Sequence, residues 1–124
     1  MNNKSKLTEV SMIALTDYSL TQHARKRKEE RLDGLTRLGY SVGSPYKMFC
    51  SNEDDRKGYM ITDKGIVYVL DLVRKKIITV IIASRAQMRM YFDQAGLYTP
   101  YNILSVCSLH EEEHICNLTN AHEH

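Results

Sequence analysis

A histidine and two arginines recur at four-residue intervals in SLTQHARKRKEER, residues 19–31. If this segment is helical, His23, Arg27 and Arg31 lie along one slowly drifting face. Imidazole titrates near neutrality, and guanidinium can bind phosphate through two parallel hydrogen bonds. His23 could therefore transfer protons while the arginines stabilise a charged phosphorane, which is the chemistry of metal-free RNA cleavage. The competing interpretation is a solvated helix whose arginines pair with the glutamates of the same segment.

The helix that would carry these residues has two candidate caps at its start, and Gly34 and Gly39 mark weak points along it. Ser19 or Thr21 could cap it, and we expect it to run to about Leu38. Residues rich in Tyr, Val and Ile follow, separated by charged or Gly-bearing turns, which is typical of an antiparallel meander. The predicted strands are Tyr46–Cys50, Gly58–Thr62, Ile66–Leu70 and Lys76–Ala83.

A second helix is predicted after the meander, capped by Ser84 and ended by Gly96. Beyond Pro100 we expect a strand and then a helix from Ser108. The fold class is therefore α+β, with an N-terminal helix packed on a roughly four-stranded antiparallel sheet. Residues 1–124 form a single domain in this interpretation, with an N-terminal arm at 1–18, a core at 19–97 and an acidic C-terminal extension at 98–124.

The charges are distributed unevenly along the chain. Residues 1–92 hold 17 basic and 10 acidic side chains, whereas residues 93–124 hold 5 acidic and no basic ones. Such a basic body is compatible with a polyanionic partner, because Lys and Arg release counterions when they neutralise phosphates. The three cysteines lack the paired spacing of a disulfide framework, which indicates a reducing compartment. The sequence also shows no apolar run long enough for a signal peptide or a membrane span. We therefore expect a cytoplasmic protein of a bacterial cell or a phage-infected host that does not bind membranes.

The segment HEEEH, residues 110–114, formally matches a zinc-binding helix motif. In such helices the two positions before the second histidine are uncharged, but Glu112 and Glu113 occupy them here. No third ligand lies at a recognised spacing. We therefore predict no metal and no cofactor, and expect an exposed acidic helix in this region.

A family resemblance adds to this interpretation. The pattern HARKRKEER, followed by GIVYVLD, a charged turn and IITVI, resembles small bacterial and phage domains with the motif HxxxRxxxR and a late Thr-Val strand. Those domains are similar to the barnase/EndoU/colicin/RelE superfold, whose nuclease toxins cut RNA without metal. The resemblance covers roughly residues 19–82. It implies a catalytic set of His23, Arg27, Arg31 and Thr79, in which Thr79 would donate a hydrogen bond to a phosphate oxygen.

Basic residues and tyrosines interleave along the predicted strands, as in surfaces that stack bases. The residues expected to contact nucleic acid are Arg25, Lys28, Lys47, Tyr59, Arg74 and Lys75. Tyrosines that merely fill a core are the alternative.

Together these features predict an RNA-binding protein, or a toxin-type endoribonuclease, whose partners are RNA or another phosphate-bearing ligand and an antitoxin. The alternative is a non-catalytic phage inhibitor or anti-defence protein that binds a host defence complex or a phosphorylated signal nucleotide.

Overall fold

A computed structural model of the chain describes residues 5–116. The strands are β1 (Leu7–Val10), β2 (Ser19–Leu20), β3 (Pro45–Ser51), β4 (Lys57–Thr62), β5 (Ile66–Asp71) and β6 (Lys76–Ile82). The helices are α1 (Gln22–Arg27), α2 (Asp33–Arg37), α3 (Arg85–Gln94) and α4 (Tyr101–Glu112). A π-helical turn, Lys28–Leu32, joins α1 to α2, and a 3₁₀ turn, Leu15–Asp17, precedes β2.

All six strands form one sheet in the order β1-β3-β4-β5-β6-β2. Neighbours are antiparallel except β2, which runs parallel to β6. The predicted architecture, an N-terminal helix on about four antiparallel strands, is wrong. The sheet has two more strands, and β1 and β2 precede the first helix in the chain. The chain is nevertheless a mixed α+β structure.

Both faces of the sheet are covered. On one face Phe49, Ile61 and Ile81 form a core with residues of α3 and α4, among them Phe92 and Ile103. On the other face a second core joins alternate strand residues to the first helical segment, which is residues 22–37 and comprises α1, the π-helical turn and α2. Its fully buried members include Ala24, Leu35, Met60, Ile66 and Val80. This two-sided burial explains the nearly continuous apolar run of β6, since successive side chains enter opposite cores.

The helix starts are set by side-chain caps. The Thr21 hydroxyl accepts a hydrogen bond from the Ala24 amide, and Ser84 forms a capping box with Gln87. Ser84 was predicted as the cap of its helix, and Thr21 was one of the two candidate caps, with Ser19, for the first helix. The strand predicted after Pro100 is wrong, because α4 begins directly at Tyr101.

The outer edge of β6 is covered by the segment that leads into the first helix. Strand β2 pairs with only the first two residues of β6. Beyond them, the Thr21 amide donates to the Ile77 carbonyl and its hydroxyl to the Ile78 carbonyl. Arg31 Nη1 then donates to the Val80 carbonyl at 2.7 Å. These contacts fix α1 along the edge and satisfy carbonyls that an open sheet edge would expose.

The predicted terminal segments take part in the fold. Residues 7–10 of the predicted arm form β1, and most of residues 98–116 of the predicted acidic extension form α4. The rest of that extension, residues 117–124, lies outside the described residues. Within residues 5–116, no helix has the length and apolar character needed to cross a membrane.

Candidate functional site

A cleft of about 540 Å³ opens on the sheet face that α3 covers. Its floor comes from β4, β5 and β6, one wall comes from α3, and the start of α1 closes it at the β6 edge. The lining residues are His23, Lys57, Tyr59, Val69, Ile78, Thr79, Met90, Tyr91 and Gln94. This surface, called the central cleft below, brings together two residues predicted to act jointly, His23 and Thr79.

His23 reaches the cleft because of how α1 begins. Thr21 caps the helix while its own amide and hydroxyl bind the edge of β6. His23 lies two residues later in the first turn and is exposed to solvent. An exposed imidazole at the mouth of a cleft is accessible both to a ligand and to bulk protons.

Thr79 is presented to the cleft next to a β-bulge. Val69 pairs with Thr79 and the adjacent Leu70 pairs with Ile77, so Ile78 is an extra residue on β6. Such a bulge twists the strand locally and re-aims side chains. Thr79 Oγ1 is buried, and it has no hydrogen-bond partner within the part of the chain that the structure describes. Because an unsatisfied buried hydroxyl is costly, this atom is a strong candidate to bind a ligand oxygen.

Lys57 supplies the cationic group of the central cleft. It opens β4 and lies on the cleft floor two residues before Tyr59, so the period of two places both side chains on one face. No salt bridge involves Lys57 within residues 5–116. The sequence shows the interleaving of Lys57 with tyrosines along the predicted strands, but Lys57 was not among the residues predicted to contact nucleic acid.

Two tyrosines border the same space. The ring centroids of Tyr59 and Tyr91 lie 5.1 Å apart. Burial raises the pKa of Tyr59, and the nearby carboxylates of Asp54 and Glu53 raise it further. Burial also raises the pKa of Tyr91. Both phenols therefore stay protonated at neutral pH and can donate a hydrogen bond. Tyr91 and Gln94, which come from α3, were also missed by the sequence prediction.

The two predicted phosphate-binding arginines lie elsewhere. Arg27 Nη1 contacts Glu30 Oε1 at 2.7 Å, as the competing interpretation of a solvated helix expects. Arg31 binds the Val80 carbonyl and lines a separate cavity of about 340 Å³ beside Ile115. The π-helical turn changes the angular step between the two arginines, so the regular face predicted for three residues does not extend along the segment. The central cleft contains only the histidine of this motif.

The residues predicted to contact nucleic acid do not share one surface. Tyr59 lies in the central cleft, whereas Lys47 pairs with Glu9 on β1 at 2.8 Å. This hydrogen bond raises the pKa of Lys47. The remaining four are exposed on the first helical segment and in the β5–β6 turn: Arg25, Lys28, Arg74 and Lys75.

The histidines of HEEEH lie in different environments. His110 is completely buried against the edge of the Tyr40 ring, with centroids 6.0 Å apart, whereas His114 is exposed. Burial lowers the pKa of His110, so its ring is neutral at pH 7. The expectation of a fully exposed helix is therefore wrong. Among the described residues there is no group of three His, Cys, Asp or Glu side chains that could hold a metal ion.

No family model matches the sequence, and comparisons with curated proteins and with solved structures give no match either. The geometry of the central cleft is therefore the basis on which a function is proposed.

Proposed function

We propose that the central cleft binds the phosphodiester backbone of RNA and cleaves it without a metal. The observation that carries the proposal is that His23, Lys57 and Thr79, which come from α1, β4 and β6, line one cleft. These residues supply an imidazole, an ammonium group and a hydroxyl with unused hydrogen-bonding capacity. Aromatic rings beside them suit single-stranded RNA, whose bases are free to stack.

The reaction would be transesterification at phosphorus. His23 accepts the proton of the ribose 2′-hydroxyl, and the 2′-oxygen then forms a bond to phosphorus while the bond to the 5′-oxygen breaks. Lys57 and the Thr79 hydroxyl stabilise the charge on the non-bridging oxygens. Tyr59, kept protonated by burial, carries the O–H that protonates the leaving 5′-oxygen. The products are a 2′,3′-cyclic phosphate and a 5′-hydroxyl, and no further reactant is needed.

The test is incubation of total cellular RNA with purified protein in EDTA, followed by analysis of the product ends. We compare the parent with His23→Ala and Lys57→Met, the second of which keeps the aliphatic stem and removes the charge. Matched controls are His114→Asn and Lys64→Met, because both residues are exposed and lie outside the central cleft. Asn also tolerates the positive φ of 57° at position 114.

Discrete fragments with cyclic phosphate ends, made by the parent and both controls but not by the cleft variants, are the expected result. A His23→Ala variant as active as the parent would remove His23 from the mechanism. Cleavage that is equally weakened by Lys64→Met would indicate a general charge effect rather than a role for Lys57.

A second candidate function is binding to a protein without catalysis. Tyr98, in the loop between α3 and α4, and Tyr101, the first residue of α4, are exposed at 99% and 83% of their full surface. Tyrosines are enriched at protein interfaces, and here they flank a rigid Thr-Pro pair. An inhibitor of a host defence complex would use this loop rather than the central cleft. Its signature is an absence of RNA turnover by the parent, together with stoichiometric complex formation that Tyr98→Ala weakens and His23→Ala does not.

A further inference from the structure

A second cavity, of about 230 Å³, lies directly beside the central cleft. The two share Lys57 and Ile78, so a ligand in one is adjacent to a ligand in the other. The second cavity is lined by Asp54, Arg56, Lys57, Leu70, Asp71 and Ile78. It is called the side pocket below. Whereas the central cleft offers a cation and hydroxyls, the side pocket adds two carboxylates and a guanidinium.

One carboxylate oxygen of Asp71 is fixed by hydrogen bonds, and the other can accept a further hydrogen bond. Its Oδ1 accepts hydrogen bonds from the amides of Val73 and Arg74, at 3.1 and 3.0 Å. Its Oδ2 lies 3.6 Å from Arg56 Nη2, too far for a hydrogen bond of good geometry. The two amides, with a contribution from Arg56, also hold the pKa of Asp71 below its usual range. The β5–β6 turn therefore orients a carboxylate whose second oxygen can accept from a ligand.

Asp54, in the loop before β4, is also anchored at one carboxylate oxygen. Its Oδ1 accepts a hydrogen bond from the Arg56 amide at 3.1 Å, and Oδ2 accepts none from residues 5–116. The Leu72 amide donates to the Arg56 carbonyl at 2.7 Å, which joins the loop before β4 to the turn after β5. The side pocket thus presents two carboxylate acceptors, from Asp54 and Asp71, and one guanidinium donor, from Arg56, on loops joined by a backbone hydrogen bond.

On the basis of the proposed function, we propose that the side pocket binds a guanine base of the RNA whose phosphate occupies the central cleft. The Watson–Crick edge of guanine carries one acceptor, O6, and two donors, the N1 and N2 groups. Arg56 complements O6, and the two carboxylates complement the donors. Adenine has a single donor group on this edge and the pyrimidines have one N–H donor site each, so they can pair with only one of the two carboxylates and make fewer hydrogen bonds. The volume accommodates one base.

Substitution of Asp71 by Asn separates base recognition from folding. Asn retains Oδ1, so the hydrogen bonds to the amides of Val73 and Arg74 are kept, but an NH₂ group replaces the acceptor Oδ2. The matched control is Asp93→Asn. Asp93 is exposed on α3, outside both cavities, and its substitution changes the net charge by the same amount. A general electrostatic gain in RNA affinity would therefore be seen in both variants.

The assay is fluorescence anisotropy with labelled 2′-O-methyl tetranucleotides UUGU, UUAU, UUCU and UUUU, which cannot be cleaved because the 2′-oxygen is blocked. We expect the parent and Asp93→Asn to bind UUGU roughly tenfold more tightly than the others, the discrimination typical of a good polar contact to a base. Asp71→Asn should lose that preference.

Each other outcome overturns a distinct claim. Equal binding of all four oligonucleotides by the parent, or a guanine preference that survives in Asp71→Asn, would refute the guanine assignment and leave RNA binding in the central cleft intact. Absence of binding to any oligonucleotide would refute the proposed function as well. Guanosine 5′-monophosphate that binds as tightly as UUGU would show that the side pocket takes a free nucleotide and would overturn the assignment to RNA.

Discussion

Gly65, in the turn between β4 and β5, is the position at which a single methyl group should be most damaging. Its φ is +79°, and a Cβ there would lie 3.1 Å from Cys107 Sγ and 3.3 Å from His110 Cε1. Left-handed backbone costs a residue with a Cβ about 1–2 kcal/mol. Overpacking of a tight core adds about 1–3 kcal/mol. Gly65→Ala should therefore lower the free energy of unfolding by roughly 2–5 kcal/mol.

Gly39→Ala separates the two contributions. Gly39 also has a positive φ, +89°, but a Cβ there would have no atom within 4 Å. It should cost only the backbone contribution, about 1–2 kcal/mol. The measurement is urea unfolding followed by circular dichroism at pH 7.5 with linear extrapolation. Cys107→Ala should also cost less in the Gly65→Ala background than in the parent, because the added methyl group occupies the space that the sulfur leaves. Equal losses for the two glycine variants would refute the tight packing of α4 on this turn.

Three further predictions concern stability. Burial lowers the pKa of His110 in the folded state, so at acidic pH the unfolded chain binds a proton that the folded chain does not. The free energy of unfolding should therefore be at its full value above about pH 6.5, the pKa of an unperturbed histidine. Below that pH it should fall by at most about 1.4 kcal/mol per pH unit. His110→Phe should flatten that slope between urea titrations at pH 5.5 and 7.5, and an unchanged slope would contradict the assignment. Ser84→Ala removes the capping box of α3 and should cost about 1 kcal/mol in the same assay. Arg31→Met should cost about 1.5–3 kcal/mol, because it leaves the Val80 carbonyl without its charged donor, whereas no loss in urea unfolding would show that water replaces the contact.

The central strands and the helix starts could be predicted from local signals. Runs of β-branched and aromatic residues located β3 to β6 to within a few residues, Ser84 was predicted as a cap, and Thr21 was one of two candidate caps for the first helix. These features depend on near neighbours in the chain. The short strands could not be found in this way. Strand β1 buries one residue of four and β2 has two residues, so neither shows the alternation of apolar and polar residues that predicts a strand. Each is defined by its pairing with the edge of a longer strand, β1 with β3 and β2 with β6.

The candidate site could also be predicted only in part, because local signals in the sequence do not show which strands and helices meet. His23 and Thr79 were selected by type and resemblance, and the fold places them in one cleft. The position of Lys57 in the same cleft as Thr79, and the side pocket, depend on the register of β4, β5 and β6, including a bulge that no local sequence pattern indicates. Gln94 reaches the central cleft from a helix that was predicted but could not be positioned on the sheet.

The spacing of the HxxxRxxxR segment serves two purposes in this chain. Strand β2 ends after two residues, so the next carbonyls of β6 need donors from outside the sheet, and Thr21 and Arg31 provide them. The same anchoring directs His23 into the cleft on the side where Thr79 lies. Because the π-helical turn lies between them, His23 and Arg31 do not share a regular helix face: Arg31 holds the helix to β6, whereas His23 meets solvent. The surroundings of each side chain distinguish the two roles. Arg31 donates to the Val80 carbonyl and anchors the helix, whereas His23 faces the central cleft, where it can contact a ligand.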